Sequence, residues 1–394
     1  MEGKKFLHSI RLENLLSYGR ETEALVLGPL NVLIGPNASG KSNLIAAISL
    51  LAAAPKDLAK PVREGGGAHE WIWKERAHTD RSSIVVTMVR SGLERLTYAL
   101  AFTELDSRLH VTRETLFDTA KEAEAEGEAY FYRDSIRLSI PKAPEGWSGF
   151  YAEQAARDVR PEESVLARIR DPLVYPQLTF VGDNFQRIQF FRDWNLGIRS
   201  LLRQPQRADL PDDFLAEDGS NLGLVINKLK NRPATKRLLL EKLRLFTDEI
   251  EDLETLVQGG TIQLFIQERG DRTIPATRLS DGTLRYLCLL AILCHPEPPP
   301  LICLEEPELG LHPDILPAVA DLLMDAAQRT QLIVTTHSET LVSALSGIPE
   351  AVVVCEKSPH GTRLRRLDSS RLEHWLDEYR LGEVWRMGEI GGNR

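Results

Sequence analysis

The apolar positions along the chain predict both strands and helices. Short runs of strand character lie at residues 25–34, 261–267, 301–304, 331–334 and 351–355. Stretches rich in Leu, Ile and Ala that are compatible with helices lie at residues 43–54 and 283–294, and another follows Pro313. Between residues 82 and 140, alternating segments such as SIVVTMV and LTYALAF predict an antiparallel meander.

The middle of the chain follows a different pattern. Residues 141–220 are less regular, and residues 221–257 are predicted to be helical in two pieces with a break near Arg232-Pro233. The first half of this stretch is basic and its end is acidic. Lys and Arg on one helix face can follow DNA phosphates, whereas the acidic end offers partners for internal ion pairs. Both interpretations stay open at this point.

Composition indicates an ordinary globular protein. The 394 residues leave room for one large or two medium domains, with 42% hydrophobic and 27% charged residues. No apolar run reaches the roughly 18 residues of a membrane-spanning helix. The net charge of −9 argues against a surface that binds polyanions throughout. The four cysteines lie in apolar stretches, so we expect buried thiols in a reducing, cytoplasmic protein without a membrane segment.

A glycine-rich loop lies between the first strand run and the first helix. It reads GPNASGKS and matches GxxxxGK[ST] at Gly35, Pro36, Asn37, Ala38, Ser39, Gly40, Lys41 and Ser42. The two glycines allow backbone N–H groups to converge on phosphate oxygens, at the positive end of the following helix. Lys41 supplies a charge for the β- and γ-phosphates, and the Ser42 hydroxyl is a ligand for Mg²⁺. This loop, the P-loop, predicts nucleotide binding.

Two carboxylates end the apolar run LICL. Glu305 and Glu306 at the mouth of a core strand are costly unless a cation or a proton transfer needs them. Glu305 is expected to hold the Mg²⁺ shell, either directly or through water, and Glu306 to orient and deprotonate the attacking water. A capping or solvent-facing acid pair is the alternative.

The order of four motifs resembles the ABC-type ATPases, and in particular the soluble branch that contains the RecF, SMC and OLD proteins. The motifs are GPNASGKSN (35–43), RLSDGT (278–283), LEEPELGLHP (304–313) and TTHS (335–338). The resemblance implies an α/β P-loop NTPase of the ABC type, with a mixed central sheet, an antiparallel β subdomain and an inserted helical lobe. It divides the chain into residues 1–140, 141–260 and 261–394.

The resemblance also implies roles for residues outside the P-loop. Asn43 joins the nucleotide-binding residues, and His337 would sense the γ-phosphate. Ser280 and Gly282 would bind the γ-phosphate of an ATP molecule held by a second subunit, although a Ser that merely caps a helix is the simpler reading. Two copies would then enclose two ATP molecules with Mg²⁺, as an ATP-dependent homodimer or a higher oligomer.

The chain also departs from the pattern of this family. No glutamine follows the first helix where the family has its Q-loop, and the GGG at residues 65–67 is the expected position of that loop. His312 stands where transporter ATPases have Asp, a form that resembles the OLD-like subgroup. Tyr18 is the candidate to stack on adenine. The aromatic tail, residues 373–394, is expected either to pack on the core or to dock a partner.

Missing segments narrow the functional expectations. The chain lacks sustained heptads, which excludes a long coiled-coil arm, and the residues after His337 are too few for the nuclease domain of OLD-type proteins. We expect ATP hydrolysis coupled to work on DNA or to control of a separately encoded effector nuclease, in phage defence. A RecF-like repair ATPase and a nucleotide-gated scaffold with slow turnover are the alternatives.

Overall fold

The computed structural model describes residues 3–75, 81–90, 95–119, 129–135, 138–140 and 159–392. The strands are β1 (Leu7–Glu13), β2 (Leu25–Val26), β3 (Leu30–Ile34), β4 (Ser82–Val89), β5 (Arg95–Leu105), β6 (Arg108–Asp118), β7 (Phe131–Asp134), β8 (Leu138–Ser139), β9 (Gln189–Phe191), β10 (Gln206–Arg207), β11 (Ile250–Gln258), β12 (Thr261–Glu268), β13 (Arg272–Pro275), β14 (Leu301–Glu305), β15 (Gln331–Thr335), β16 (Val352–Ser358) and β17 (Gly361–Arg366).

The helices within these ranges are α1 (Lys41–Ala53), α2 (Ala59–Glu64), α3 (Ala68–Trp71), α4 (Pro176–Phe185), α5 (Leu222–Lys230), α6 (Pro233–Phe246), α7 (Asp281–Leu293), α8 (Leu316–Ala326), α9 (Glu339–Ser343), α10 (Ser369–Leu376) and α11 (Leu381–Met387). None of them has the length and apolar character needed to cross a bilayer. The described residues form two compact units, each assembled from distant parts of the chain.

The P-loop unit contains the described residues of Lys5–Ile188, those of Val353–Leu367, and the last residues from Ile390. Its larger sheet has the order β2-β1-β4-β5-β6-β7-β8 and is antiparallel throughout. This is the meander that the alternating sequence predicts. In β4, every second side chain is buried, as expected for a sheet with one face on the core. In the same unit, β16 lies between β17 and the P-loop strand β3.

The acidic-strand unit contains Gln189–Val352, Asp368–Glu389 and the residues before Lys5. Strand β14 lies between β15 and β9 and is parallel to both. Helix α7 is buried at every position from Leu284 to Leu293, which explains why it carries an almost continuous apolar run. A smaller antiparallel sheet pairs β12 with β10, β11 and β13.

The structure corrects one prediction in the middle of the chain. Helices α5 and α6 break at Arg232-Pro233 as expected, but residues 250–258 form strand β11 and not the end of a helix. Strand β11 pairs with β12 through a two-residue turn at Gly259 and Gly260, which have φ angles of 60° and 77°. Two positive φ angles suit a hairpin turn that only glycine adopts without strain. The acidic run at residues 121–128 lies outside the described residues.

The aromatic tail packs on its own unit. Leu381, Val384 and Trp385 of α11 are buried. A Cβ atom on Gly382 would lie 2.2 Å from the Glu339 carbonyl oxygen, so α11 and α9 approach each other closely at this point. In the described tail, the packing interpretation therefore holds for α11. The division into three domains stays a prediction. The two compact units are each assembled from distant segments of the chain, whereas the predicted domains are consecutive stretches.

A buried carboxylate joins the antiparallel sheet to the segment beyond it. Glu114 of β6 is fully buried and accepts hydrogen bonds from the Tyr98 hydroxyl at 2.8 Å, the Ser164 hydroxyl at 2.5 Å and the Val165 N–H at 2.9 Å. Arg133 Nη1 lies 3.7 Å from Glu114 Oε2. Burial raises the pKa of Glu114, and the hydrogen bonds oppose that shift.

We predict that Glu114→Ala lowers the free energy of unfolding by about 3 kcal/mol, because three buried donors lose their acceptor and Arg133 loses its counter-charge. Urea denaturation followed by circular dichroism measures the effect. Glu64, which is exposed on α2 with Lys60 at 3.9 Å, is the control: Glu64→Ala should change the same free energy by less than about 1 kcal/mol. Equal effects of the two substitutions would contradict the assignment of Glu114 as a structural anchor.

Candidate functional site

The backbone of the P-loop takes a conformation that requires glycine at two positions. Gly35 and Gly40 have φ angles of 148° and 102°, and Ala38 lies at 61°. A Cβ atom on Gly35 would lie 2.3 Å from the Cys355 carbonyl oxygen, and one on Gly40 would lie 2.3 Å from Thr362 Oγ1. The glycines therefore serve both the turn and its close packing against the β16–β17 hairpin.

The start of α1 leaves its N–H groups available to a ligand. Gly40 occupies the position that caps the helix, and no side chain accepts a hydrogen bond there. Orphan N–H groups and the helix dipole make such a helix start an anion site. Ser42 and Asn37 are exposed, whereas the Ser39 hydroxyl is buried without a hydrogen-bond partner in the described chain. A buried, unpaired donor inside the loop fits a phosphate oxygen.

Lys41 is folded back onto the loop that it belongs to. Its ammonium donates to the carbonyl oxygens of Gly35 at 2.8 Å and Pro36 at 2.9 Å, and the residue is 6% exposed. These carbonyl groups hold the ammonium against the loop. The geometry suits an ammonium group that exchanges carbonyl contacts for phosphate oxygens when a nucleotide binds.

Tyr18 is buried and forms a hydrogen bond with the P-loop. Its ring is fully buried, and its hydroxyl donates to the Gly40 carbonyl at 3.0 Å. Burial raises the pKa of this phenol well above its usual value. The expectation that Tyr18 stacks on adenine is wrong for this structure, because no face of the ring is accessible. Nothing in the local sequence pattern indicated that this ring would be buried.

A polar cluster behind the P-loop escaped the sequence analysis. The Thr362 hydroxyl lies 2.9 Å from the Ser39 carbonyl and 2.8 Å from the Ser17 hydroxyl. Asn43 donates to the same Ser17 hydroxyl at 2.8 Å. Asn43 therefore contacts Ser17 and belongs to the scaffold of the loop. The two Thr362 bonds join segments more than 300 residues apart, which no local pattern reveals.

In the acidic-strand unit, the signature loop begins helix α7. Ser280 is exposed, and its hydroxyl accepts the Thr283 N–H at 3.1 Å. Ser280 is thus a helix cap, which is the simpler of the two roles expected for it, and it is exposed at the start of α7. A Cβ atom on Gly282 would lie 3.1 Å from the Gly310 carbonyl oxygen, so the signature loop packs against the loop that follows Glu306.

Arg203 holds the signature loop from its buried side. The guanidinium is almost fully buried and donates to the Leu279 carbonyl and to the Asp281 carboxylate. It also donates to the Leu196 carbonyl at 2.9 Å. The loop before Ser280 is therefore fixed by a charged side chain that the motif search did not single out.

Glu305 meets an arginine that the sequence analysis also missed. Arg192 Nε lies 3.0 Å from Glu305 Oε1, and the Glu305 side chain is 17% exposed. Arg192 directly follows β9, which pairs with β14 in parallel register, so the two side chains extend from the same sheet edge. Carboxylate and hydroxyl oxygens are suitable donors for Mg²⁺. One oxygen of Glu305 pairs with Arg192, so the other oxygen is the one that would face Mg²⁺, directly or through water.

Glu306 and His337 face each other at the ends of neighbouring parallel strands. Glu306 Oε1 lies 3.6 Å from His337 Nε2, and both side chains are about one third exposed. Glu306 has a φ angle of 47°, a strained value for a residue with a side chain. Its N–H donates to the Thr335 carbonyl at 3.0 Å, which holds the turn in place. A carboxylate and an imidazole within reach of one water molecule are groups that can move a proton.

His312 does not share this arrangement. Its side chain is 75% exposed and lies 3.3 Å from the exposed Asp314, and its Nδ1 accepts the Asp314 N–H at 3.4 Å. His312 therefore caps the short turn that starts at Pro313. Among the described residues, no cluster of three His, Cys, Asp or Glu side chains forms a metal site.

The basic stretch of α5 and α6 is largely neutralised within its own unit. Lys228 contacts Asp212 and Asp213, Lys236 contacts Asp252 at 2.6 Å, Arg232 contacts Glu297 at 3.1 Å, and Lys242 lies 3.9 Å from Asp325. Arg244 donates to two backbone carbonyl groups. Of the two interpretations of this stretch, the internal ion pairs account for most of its charge.

We predict that Lys41→Ala weakens ATP binding by at least about 100-fold, because the loop loses its charge-assisted contact to phosphate. Equilibrium binding of a fluorescent ATP analogue measures this. Lys56→Ala removes an exposed lysine just beyond α1 and should leave the affinity unchanged. Retained tight binding by Lys41→Ala would contradict the assignment of the P-loop as the phosphate site.

Comparison with solved structures shows the fold. The chain matches the SMC head bound to the C-terminal winged-helix domain of ScpA with a TM-score of 0.59 and 13% identity, over 93% of this chain and 99% of the other. It matches the SMC head with an extended coiled coil bound to the C-terminal domain of ScpA, from Pyrococcus furiosus, with a TM-score of 0.57 and 12% identity, over 95% and 99%. The predicted α/β P-loop NTPase fold of the ABC ATPase type is confirmed.

Sequence comparison gives the family. A search of curated proteins gives no match. A family model described as "AAA domain, putative AbiEii toxin, Type IV TA system" matches residues 30–343, which include all four motifs. Since this match covers most of the chain, the protein belongs to that family of AAA-domain P-loop proteins.

Proposed function

We propose that this protein binds ATP with Mg²⁺ and hydrolyses it. The observation that carries the proposal is the P-loop cradle: a start of α1 without a side-chain cap, a buried Ser39 hydroxyl without a hydrogen-bond partner in the described chain, and a Lys41 ammonium that donates to the carbonyl groups of the loop. Each of these supplies a donor or a positive charge to an anion.

Within this proposal, the residues of the P-loop unit bind and orient the triphosphate. Lys41 moves from its carbonyl contacts to the β- and γ-phosphates, and the N–H groups at the start of α1 bind the same oxygens. As the resemblance implies, Ser42 would supply an oxygen to Mg²⁺, and Glu305 of the acidic-strand unit would hold the Mg²⁺ shell, directly or through water. When bound, Mg²⁺ neutralises the charge that develops on the phosphate oxygens.

The residues of the acidic-strand unit act on the attacking water. Glu306 orients the water and accepts its proton, and His337 contacts the γ-phosphate. The distance of 3.6 Å between Glu306 Oε1 and His337 Nε2 supports these two roles, because a carboxylate and an imidazole this close can both contact one water molecule. The strained φ angle of Glu306 is consistent with a side chain that is held for function.

We further propose that the active form is a dimer that encloses two ATP molecules. The exposed Ser280 at the start of α7 and the neighbouring Gly282 would contact the γ-phosphate held by the second copy. Three observations support this contact. Ser280 is exposed, it lies at the start of the 13-residue helix α7, and Arg203 fixes the loop before it. A helix N-terminus of this length is a favourable partner for an anion.

We propose that hydrolysis controls a separately encoded protein effector, in phage defence as the resemblance to OLD-like proteins implies. The family description names an AbiEii toxin and a Type IV TA system, and both SMC heads above were solved with a domain of the protein ScpA. DNA as the direct partner is less favoured, because the basic stretch that would contact phosphates is occupied by internal carboxylates.

We predict that Glu306→Gln lowers kcat for ATP hydrolysis by about 100- to 10,000-fold while ATP still binds, because the amide cannot accept the proton of the attacking water. A phosphate-release assay and a binding titration on the same sample separate the two effects. Glu373→Gln on the exposed face of α10 is the control and should retain wild-type turnover. Unchanged turnover in Glu306→Gln would remove Glu306 from the proposed mechanism.

A further inference from the structure

Glu308 connects two segments whose side chains the proposed mechanism uses. Its Oε1 atom accepts the Thr336 hydroxyl at 2.6 Å and the His337 N–H at 2.9 Å. Glu308 lies two residues after Glu306, and both donors lie directly after strand β15. Hydrogen bonds to a carboxylate are roughly twice as strong as those between neutral groups. One carboxylate oxygen thus fixes the backbone that carries the His337 ring.

The segment that carries His337 is also anchored to helix α9. The Thr336 hydroxyl accepts the Ser338 N–H at 3.0 Å, and the Ser338 hydroxyl accepts the Leu341 N–H at 3.2 Å at the start of α9. Thr336 is fully buried. The segment 336–338 is therefore held on one side by the cap of α9 and on the other by Glu308. Between these supports, His337 Nε2 lies 3.6 Å from Glu306 Oε1, and the His337 side chain is 38% exposed.

The near side of the contact is a short, well-bonded turn. The Leu309 N–H donates to the Glu306 carbonyl at 3.1 Å, and the Leu311 N–H donates to the Glu308 carbonyl at 3.0 Å. These bonds define where Glu306 and Glu308 point. The second carboxylate oxygen of Glu308, Oε2, is buried and has no hydrogen-bond partner in the described chain. A half-buried carboxylate with one unused oxygen is costly, which argues that the position serves more than stability.

We propose that Glu308 is a positioning residue that holds His337 at its distance from Glu306, so that both reach the water and the γ-phosphate together. The inference rests on the proposed ATP hydrolysis. In this role Glu308 acts through the backbone of His337. A displacement of about 1 Å at a catalytic group costs on the order of 100-fold in rate, so a hydrogen bond to the backbone of such a group affects turnover more than binding.

The kinetic test is a double-mutant cycle between Glu308 and His337. Glu308→Ala should lower kcat by about 10- to 100-fold and change the KM for ATP by less than about 3-fold. Glu308→Gln should keep most of the rate, because its amide oxygen accepts the same two donors. In a His337→Ala background, Glu308→Ala should cost less than about 2-fold more, since residues that act as one unit are not additive.

Three kinetic outcomes would overturn the proposal. They are fully additive losses in the cycle, a loss in Glu308→Gln equal to that in Glu308→Ala, and a rise in KM at constant kcat. Asp321→Ala, an exposed carboxylate on α8, is the control and should match the wild type in kcat and thermal unfolding. Thermal unfolding of Glu308→Ala tests whether a loss of rate occurs in a folded protein.

A second measurement does not depend on hydrolysis. Hydrogen exchange of the His337 amide, followed by NMR in the full chain, should become at least about 10-fold faster in Glu308→Ala and stay near the wild-type rate in Glu308→Gln. An unchanged exchange rate in Glu308→Ala would overturn the positioning role. If the wild-type protein does not hydrolyse ATP, the proposed function is wrong, and the exchange rates still decide whether Glu308 holds His337.

Discussion

The contact between the P-loop and the β16–β17 hairpin is the constraint on which the nucleotide-binding half of this protein depends. Gly35 and Gly40 lie so close to Cys355 and Thr362 that no side chain fits between them. The hairpin thereby fixes the backbone conformation of the loop, whose N–H groups would bind phosphate. Thr362 and Tyr18 add hydrogen bonds to the same loop. A loop that binds phosphate with its backbone needs this support, because the N–H groups must be in place before the ligand arrives.

The acidic-strand unit, in contrast, concentrates negative charge at one sheet edge. Each carboxylate there has a different partner: Arg192 for Glu305, His337 for Glu306, and the backbone after β15 for Glu308. Separate partners keep three neighbouring carboxylates ordered without neutralising all of them. This arrangement explains how a core strand can end in so much acid. It also gives Glu308, which motif analysis left without a role, a physical task.

The parts of the fold that were predictable from the sequence are those that local patterns determine. The strand, glycine-rich loop and helix around the P-loop have their own periodicity and turn chemistry, and the meander shows clear alternation. Strand β11 was predicted as helix because its register with β12 is a tertiary effect, although Gly259-Gly260 was a usable turn signal. The partners of Glu305 and Glu308 come from segments far apart in the chain. No spacing rule would have named Arg192 or Arg203.

Two copies sharing each ATP is the central claim, and mixing two inactive variants tests it most directly. Lys41→Ala disables the P-loop, and Ser280→Arg disables the signature loop. In a mixed dimer one of the two composite sites has both defects and the other has none, so an equimolar mixture should recover about one quarter of the wild-type ATPase rate. A mixture no more active than its separate components would contradict the shared site.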